Sequence, residues 1–300
     1  MKAKGGDLDY KYIIYEAKDH IATITMNKPE TMNAFQWIGR GEDAQEVWSA
    51  FDQAADDDDV KVIILKGSGR AFTVGHDLTK VGFIYGMGTG KEGERKPSQR
   101  TRLKYDKMGM DDNMMHVFLN PKITISQLHG YCIGGGVYFP LLCDLAVAAE
   151  DAKLGLTEQR LGFSGSGVLG ITHLIYHIGM KRAMELLLTG KTISGKEAAE
   201  IGLVNKAVPA DKLDEETRKL ATAVALLPRD GIAIGKATRH IIYDRIGLLS
   251  DFIPAYISHT LFTNLRWEDD EFNFFKERRD RGGAKDAFHA RDERYKSLGL

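Results

Sequence analysis

The tightest constraint in this chain is Gly134-Gly135-Gly136, which follows His129-Gly130-Tyr131-Cys132-Ile133 and the apolar run Ile123 to Leu128. Consecutive glycines let the backbone turn where no Cβ fits, and let another molecule approach main-chain N–H donors closely. A helix opening at the glycines would add its positive end at the same place. Such a site stabilises a carbonyl oxygen as it becomes negative. Glu158, 22 residues beyond Gly136, supplies a carboxylate able to move a proton. These residues point to enolate chemistry. A glycine triplet also serves tight turns and helix packing, so a second feature has to support it. Val62-Ile63-Ile64-Leu65-Lys66-Gly67 reads as a buried strand, after which the chain runs to Ala71-Phe72-Thr73-Val74-Gly75-His76-Asp77-Leu78. It is expected to turn at Gly75 and to present the N–H groups of His76 and Asp77.

The residues carrying this pattern resemble the crotonase (enoyl-CoA hydratase/isomerase) superfamily. Ile24 to Ala34 looks like the family's first strand and substrate loop, Ala71 to Leu78 like its first oxyanion segment, and Gly130 to Gly136 like the second. Thr192-Ile193-Ser194, Ala198-Ala199, Gly202-Leu203-Val204-Asn205 and Val208 look like its later helix and closing strand. The resemblance covers roughly residues 10 to 215. It implies an α/β fold, a crotonase-like ββα spiral core followed by a C-terminal helical oligomerisation region. It further implies an acyl-CoA substrate whose thioester oxygen lies between the N–H groups of His76 and Gly135. Met32, Ala34, Asp77, Leu78, Thr79 and Gly134 are then substrate-binding, with Asp77 to Thr79 beside the pantetheine arm.

Family hydratases use two glutamates. The second matches Glu158, but the first falls on Tyr138. A phenol titrates near 10 and a carboxylate near 4.3, so Tyr138 is a poor base at neutral pH although it can hold a hydrogen bond. Glu158 can still act as acid or base if an apolar pocket raises its pKa. The reading is reversible hydration of a 2-enoyl-CoA with Glu158 and Tyr138 at the reacting centre. The alternatives are Δ3–Δ2 isomerisation by Glu158 alone, then thioester hydrolysis or C–C cleavage, then a catalytically silent acyl-CoA binder. Three plainer readings stay open: His76 as a backbone donor only, Tyr138 as apolar filling, and Glu158 as a solvated charge.

The rest of the chain excludes several classes. With 41 basic and 42 acidic residues the net charge is −1, so nothing global suggests a nucleic-acid or membrane partner. No Gly-x-Gly-x-x-Gly opens a helix and no His or Cys residues are paired as ligands, so no cofactor and no metal is expected. His129, His173 and His177 read as structural. Cys132 and Cys143 make no disulfide framework. The absence of a signal core at the start and of a peroxisomal address at the end makes the cytoplasm the expected location.

Strands are expected at 21–26, 61–66, 122–127 and 145–149, with helices over 35–55 and 135–143. This gives a catalytic core over 1–215. Helices over 213–225 and 231–243 and a long helical stretch over 248–281 give a C-terminal region over 216–300. Such helices in the family build homotrimers or homohexamers, and Tyr256, Phe262, Leu265, Trp267, Phe272 and Phe275 would supply an interface, or else cover their own subunit. Residues 80 to 121 read as an inserted or extended loop. Its stretch from Lys91 to Lys107 carries seven basic residues against three acidic, a candidate for binding CoA phosphates or a solvated face. Met108, Met110, Met114 and Met115 are expected to face the acyl group.

Overall fold

The computed structural model describes residues 9–37, 41–79, 97–163, 170–261 and 267–299. Its strands are β1 (Ile13–Lys18), β2 (Ile21–Met26), β3 (Val62–Gly67), β4 (Ala71–Thr73), β5 (Ile123–Leu128), β6 (Tyr131–Ile133), β7 (Leu145–Ala149), β8 (Lys153–Gly155), β9 (Ile193–Ser194) and β10 (Lys206–Val208). Its helices are α1 (Glu42–Asp56), α2 (Gln99–Lys107), α3 (Met115–Phe118), α4 (Tyr138–Leu142), α5 (Ile171–Ile178), α6 (Met180–Thr189), α7 (Gly195–Glu200), α8 (Leu213–Ala225), α9 (Arg229–Arg245), α10 (Phe252–Leu261), α11 (Phe274–Asp280) and α12 (Ala284–Lys296).

Two sheets share the strands. The larger runs β1-β2-β3-β5-β7-β10 and the smaller β4-β6-β8-β9. From β2 to β10 the larger sheet is parallel, and β1 closes one edge antiparallel. Strands covered on both faces read as unbroken apolar runs rather than as alternation. β5 is buried at all its positions and β3 at all but Lys66. Each long strand hands over to a short strand of the smaller sheet: β3 to β4, β5 to β6, β7 to β8. That recurrence is the ββα spiral implied by the resemblance. α1 buries Ala44, Val47, Trp48, Phe51 and Ala54, the spacing of one helical face. Asp214, at the start of α8, accepts from Lys66 at 2.6 Å and from Gln127 at 2.7 Å, fastening that helix to β3 and β5.

Several expectations are corrected. The helix foreseen over 35–55 begins only at Glu42, because Phe35 is extended and bridged to His76. The helix foreseen over 135–143 opens with a tight 3₁₀ turn, Gly134–Val137, before α4. The stretch over 248–281 is interrupted: α10 ends at Leu261 and α11 starts anew where the Asn273 side chain accepts from the N–H groups of Phe275 and Lys276. α12, beyond Gly282 and Gly283, falls in the helical region expected over 216–300, although no separate helix was placed there.

Of the segment 80–121, residues 80–96 lie outside the described residues. The remainder is largely helical, as expected from the methionines onward and unexpectedly before them: α2 capped by Ser98, a wide turn over Met108–Asp112, then α3. Arg102 does not belong to a solvated basic face. It is fully buried and pairs with Asp106 at 3.0 Å one turn on, while Arg100 and Lys104 are exposed. Met110 and Met114 are buried in the main core. The aromatic side chains proposed for an interface are used within the chain. Trp267 donates to the Gly162 carbonyl, Phe275 packs on Phe163, Phe272 joins the same cluster and Tyr256 packs against the main core. Phe262 and Leu265 lie outside the described residues.

Candidate active site

Because β4, β6 and β8 are neighbours in one parallel array, their C-terminal ends lie side by side. Ligand sites of parallel sheets collect at such ends. β4 delivers Gly75 and His76, β6 delivers Gly134 and Gly135, and β8 delivers Thr157 and Glu158. The contact between the first two loops is main chain on main chain. A Cβ at Gly75 (φ +81°) would sit 2.8 Å from Gly135 N and 2.8 Å from Ile133 O, and one at Gly136 would sit 2.6 Å from Thr73 O. Only glycine satisfies both the positive φ and the space at Gly75.

The His76 bridge with Phe35 consumes the N–H of Asp77, which donates to Phe35 O at 3.1 Å. The expectation that Asp77 presents its N–H is therefore corrected. The N–H of His76 itself points the other way across the bridge, as alternate residues in a strand pairing do. Gly135 N, in the first turn of its 3₁₀ helix, has no place in that helix's own hydrogen bonds.

The loop after β2 is pinned from beneath. Met32 and Asn33 both hold φ near +55°, at 55° and 54°. The buried Asn33 carboxamide compensates by donating to the carbonyls of Ala71 at 2.8 Å and Ser68 at 2.9 Å and accepting from Lys28 N at 2.8 Å. Lys28 Nζ donates to Ala34 O at 2.8 Å and pairs with Asp43 at 2.6 Å. Such left-handed residues persist only where surrounding bonds fix them.

These elements enclose a pocket of about 470 Å³. Every site residue expected from the sequence is on its wall: Glu158 and Tyr138, His76 and Gly135, and Met32, Ala34, Asp77, Leu78, Thr79 and Gly134. Glu158 leans over the glycine turn, its Oε1 3.3 Å from where a Cβ on Gly134 would be. Its Oε2 is buried and has no hydrogen-bond partner among the described residues. Burial pushes the Glu158 carboxyl up to about 7, against a small opposing effect of its own backbone N–H. Tyr138 does reach the pocket, its ring edge 3.5 Å from the Cβ position of Gly135. Met108, Met110, Met114 and Met115 are not on the pocket wall, and Met32 is there instead.

The floor is thus three strand ends, and the roof comes from the C-terminus. Ala284, Phe288 and Arg291 of α12 line the pocket opposite. Ala284 and Phe288 pack on a second apolar cluster, separate from the main core, built on Leu161, Phe163, Phe274, Phe275 and Ala287. Arg278 of α11 donates to Leu78 O at 2.6 Å, and Arg160 stacks on Tyr295 with its guanidinium 4.1 Å from the ring centroid. His259 of α10 also lines the pocket. Neither His259 nor α12 was expected at the pocket from the sequence.

A family model for enoyl-CoA hydratase/isomerase matches residues 16–243. The chain belongs to that family. A probable enoyl-CoA hydratase of Mycobacterium bovis is 31% identical over 229 residues, 76% of this chain and 81% of that one. The crystal structure of an enoyl-CoA hydratase/isomerase from Xanthobacter autotrophicus Py2 superposes with a TM-score of 0.79 at 30% identity, covering 95% of this chain and 98% of that one. An enoyl-CoA hydratase structure from Mycobacterium smegmatis gives 0.77 at 27% identity, with 94% of each chain covered. The family match ends at Tyr243, so α10, α11 and α12, which carry His259 and the roof, lie beyond it.

Other sequence expectations fall outside the pocket. His129 bonds the Gly69 carbonyl at 3.0 Å, and His173 is buried edge-on against Phe118. Cys132 and Cys143 are free and buried; burial pushes the Cys143 thiol up to about 12. Among the described residues no three His, Cys, Asp or Glu side chains are grouped as a metal ion would require, and no helix is long and apolar enough to cross a membrane.

Proposed function

We propose that the chain catalyses reversible addition of water to a 2-enoyl-CoA thioester. The thioester oxygen is held between the N–H groups of His76 and Gly135 as the enolate forms. Glu158 exchanges the proton and Tyr138 holds the water by hydrogen bonding. The observation that carries this reading is the Glu158 carboxyl leaning over the glycine turn, with burial raising its pKa to about 7. A base near the working pH is in its most useful range. The family membership supports the substrate class, and no group beyond the CoA carried by the substrate is invoked.

One observation favours a second reading. With Tyr138 where a second carboxylate would stand, Glu158 alone can carry a proton between C2 and C4, which is Δ3–Δ2 isomerisation. Mass spectrometry of 2-enoyl- and 3-enoyl-CoAs incubated with the wild type and Glu158→Gln separates the two. Hydration adds one water to the mass, and the variant slows it by about 10²- to 10⁴-fold. Isomerisation leaves the mass unchanged and moves the double bond. If no CoA thioester is turned over, both readings fall and hydrolysis, C–C cleavage or silent binding take their place.

We further propose a homotrimer or homohexamer in the cytoplasm. The apolar area free for a neighbour is Leu226 and Ile234, Ile241, Ile253, Ile257 and Leu261 of α9 and α10, all exposed, rather than the aromatic residues foreseen from the sequence. Light scattering of the purified chain gives the assembly state, and a monomer at micromolar concentration would remove this proposal.

A further inference from the structure

The pocket is mostly apolar, yet two imidazoles line it. His76 and His259 have ring centroids 6.5 Å apart. The second is backed by a polar network that never reaches solvent. Nδ1 of His259 lies 3.1 Å from Asp106 Oδ1 and 3.1 Å from Arg102 Nη2. Asp106 also takes Arg102 at 3.0 Å and Thr260 Oγ1 at 2.9 Å. Arg102 and Asp106 are fully buried. A buried pair of this kind costs desolvation and is poor evidence for stability, since apolar residues would fill the same space as well. It does fix the ring of His259 at the pocket wall.

His76 has no such support. Both ring nitrogens are buried and lack a hydrogen-bond partner among the described residues. Leaving buried polar atoms unmade is costly in any folded protein. The ring's Cδ2 edge is the side turned toward Gly135, 3.8 Å from its Cβ position. A half-turn about Cβ–Cγ keeps the outline of the ring but exchanges Cδ2 with Nδ1 and Cε1 with Nε2. Among the described residues no hydrogen bond opposes that turn, and it places a nitrogen on the edge facing Gly135. The ring is also uncharged, because burial, His259 and the nearby Arg102 lower its pKa to about 3. A neutral imidazole offers one donor and one acceptor. Arg102 is paired with Asp106, and the ring of His76, itself uncharged, suits an uncharged oxygen.

We propose that His76, with His259 beside it, is a specificity-determining residue that selects acyl groups carrying an uncharged oxygen substituent, a keto or hydroxyl group, over plain aliphatic chains. The proposal rests on the acyl-CoA reading above. A purely aliphatic acyl group would leave the His76 nitrogens unmet. An oxygen within reach would satisfy them.

Calorimetric titration with saturated acyl-CoAs tests this without turnover, because these thioesters have no double bond to hydrate or move. The matched pairs are pentanoyl-CoA against 4-oxopentanoyl-CoA and hexanoyl-CoA against 6-hydroxyhexanoyl-CoA. One neutral hydrogen bond predicts that the oxygen-bearing member of at least one pair binds about tenfold more tightly. In His76→Leu, which keeps the main-chain N–H, that preference falls to about twofold or less. His76→Asn, a smaller side chain that keeps a donor and an acceptor, retains part of it. Equal affinity within both pairs for the wild type overturns the proposal, even if the variants fail to fold. A preference that survives in His76→Leu removes His76 as its source. If the wild type binds no CoA thioester at all, the acyl-CoA reading itself fails, an outcome distinct from equal binding.

Discussion

On the floor of the pocket, β4, β6 and β8 end in main chain that meets main chain, whereas the roof is laid over it by the side chains of α11 and α12. The floor is fixed by what is missing: a Cβ at Gly75 or Gly136 would collide with backbone atoms at 2.8 and 2.6 Å. The roof is fixed by what is present: Phe274, Phe275 and Phe288 packed with Leu161 and Phe163 in a second cluster, plus the Arg278 hydrogen bond to Leu78. Backbone contacts of the first kind have no way to relax without moving strands of the sheet. Side-chain packing of the second kind separates along one apolar seam. The difference teaches where alignment of the reacting atoms and where access to them reside.

The sharpest break in that contrast is Gly75→Ala. Its Cβ would force the two N–H-bearing loops apart and strain a backbone at φ +81°. Misplacing one oxyanion donor costs about 10²- to 10³-fold in kcat, and a KM left within about threefold would locate the loss in the chemical step. A kcat within tenfold of wild type would show that the floor is less rigid than described.

Phe274→Ala attacks the roof instead. Removing a fully buried phenylalanine costs about 3 kcal/mol or more where the site cannot collapse. Here the loss should fall on the C-terminal helices, raising KM while sparing kcat. A single urea transition shifted by the whole amount, with kcat and KM falling together, would mean that roof and floor fold as one unit.

Glu158 gives a pH test. Its folded pKa of about 7 exceeds the ordinary glutamate value of 4.5, so the folded protein binds more protons than the unfolded chain between those values. Stability is therefore highest below pH 4.5 as far as this group is concerned, and falls as pH rises toward 7, by at most about 3 kcal/mol. Glu158→Gln should remove that slope and raise the melting temperature at pH 8. The same ionisation predicts kcat/KM rising with pH around 7 in the wild type. A flat stability difference between the two proteins from pH 5 to 8 would contradict a buried, unpartnered carboxyl.

The smallest effect is expected at the edge of the roof. Arg291, its own side chain largely covered beside Phe288, pairs with the exposed carboxylate of its neighbour Asp292, so Arg291→Gln should change KM by about threefold or less, because an ion pair with one partner in solvent contributes little. A larger change would assign Arg291 to the bound thioester.

The floor was legible in the sequence because its requirements are local. A glycine that must adopt positive φ, or against which backbone packs, stands at the end of an apolar run, and Gly75, Gly134 and Gly136 all do. Glu158 came from its place 22 residues beyond Gly136 and from the family resemblance, not from β8, which was not foreseen. The polar wall was not legible. Arg102 looked like one of seven basic residues on a surface, because counting charge ignores which helical face carries it. Arg102 and Asp106 are one turn apart on α2 and both point inward to His259, more than 150 residues away in the chain. No local pattern announces a contact over that separation. The roof was missed for a related reason: α12 covers the pocket through Ala284, Phe288 and Arg291, and its sequence reads mainly as a polar surface helix.

Position 138 has a consequence for how this fold changes its chemistry. Tyr138 heads α4, one step past the glycine turn, and its ring reaches the pocket while only its main-chain N–H, which donates to Gly135 O, helps to close the turn. In the proposed reaction, exchanging that side chain swaps a reactant at the bench while leaving the vice untouched. A carboxylate, a phenol or an apolar group there would meet the same thioester in the same grip. Gripping is written into the main chain, and the repertoire of reactions into a few replaceable side chains above it.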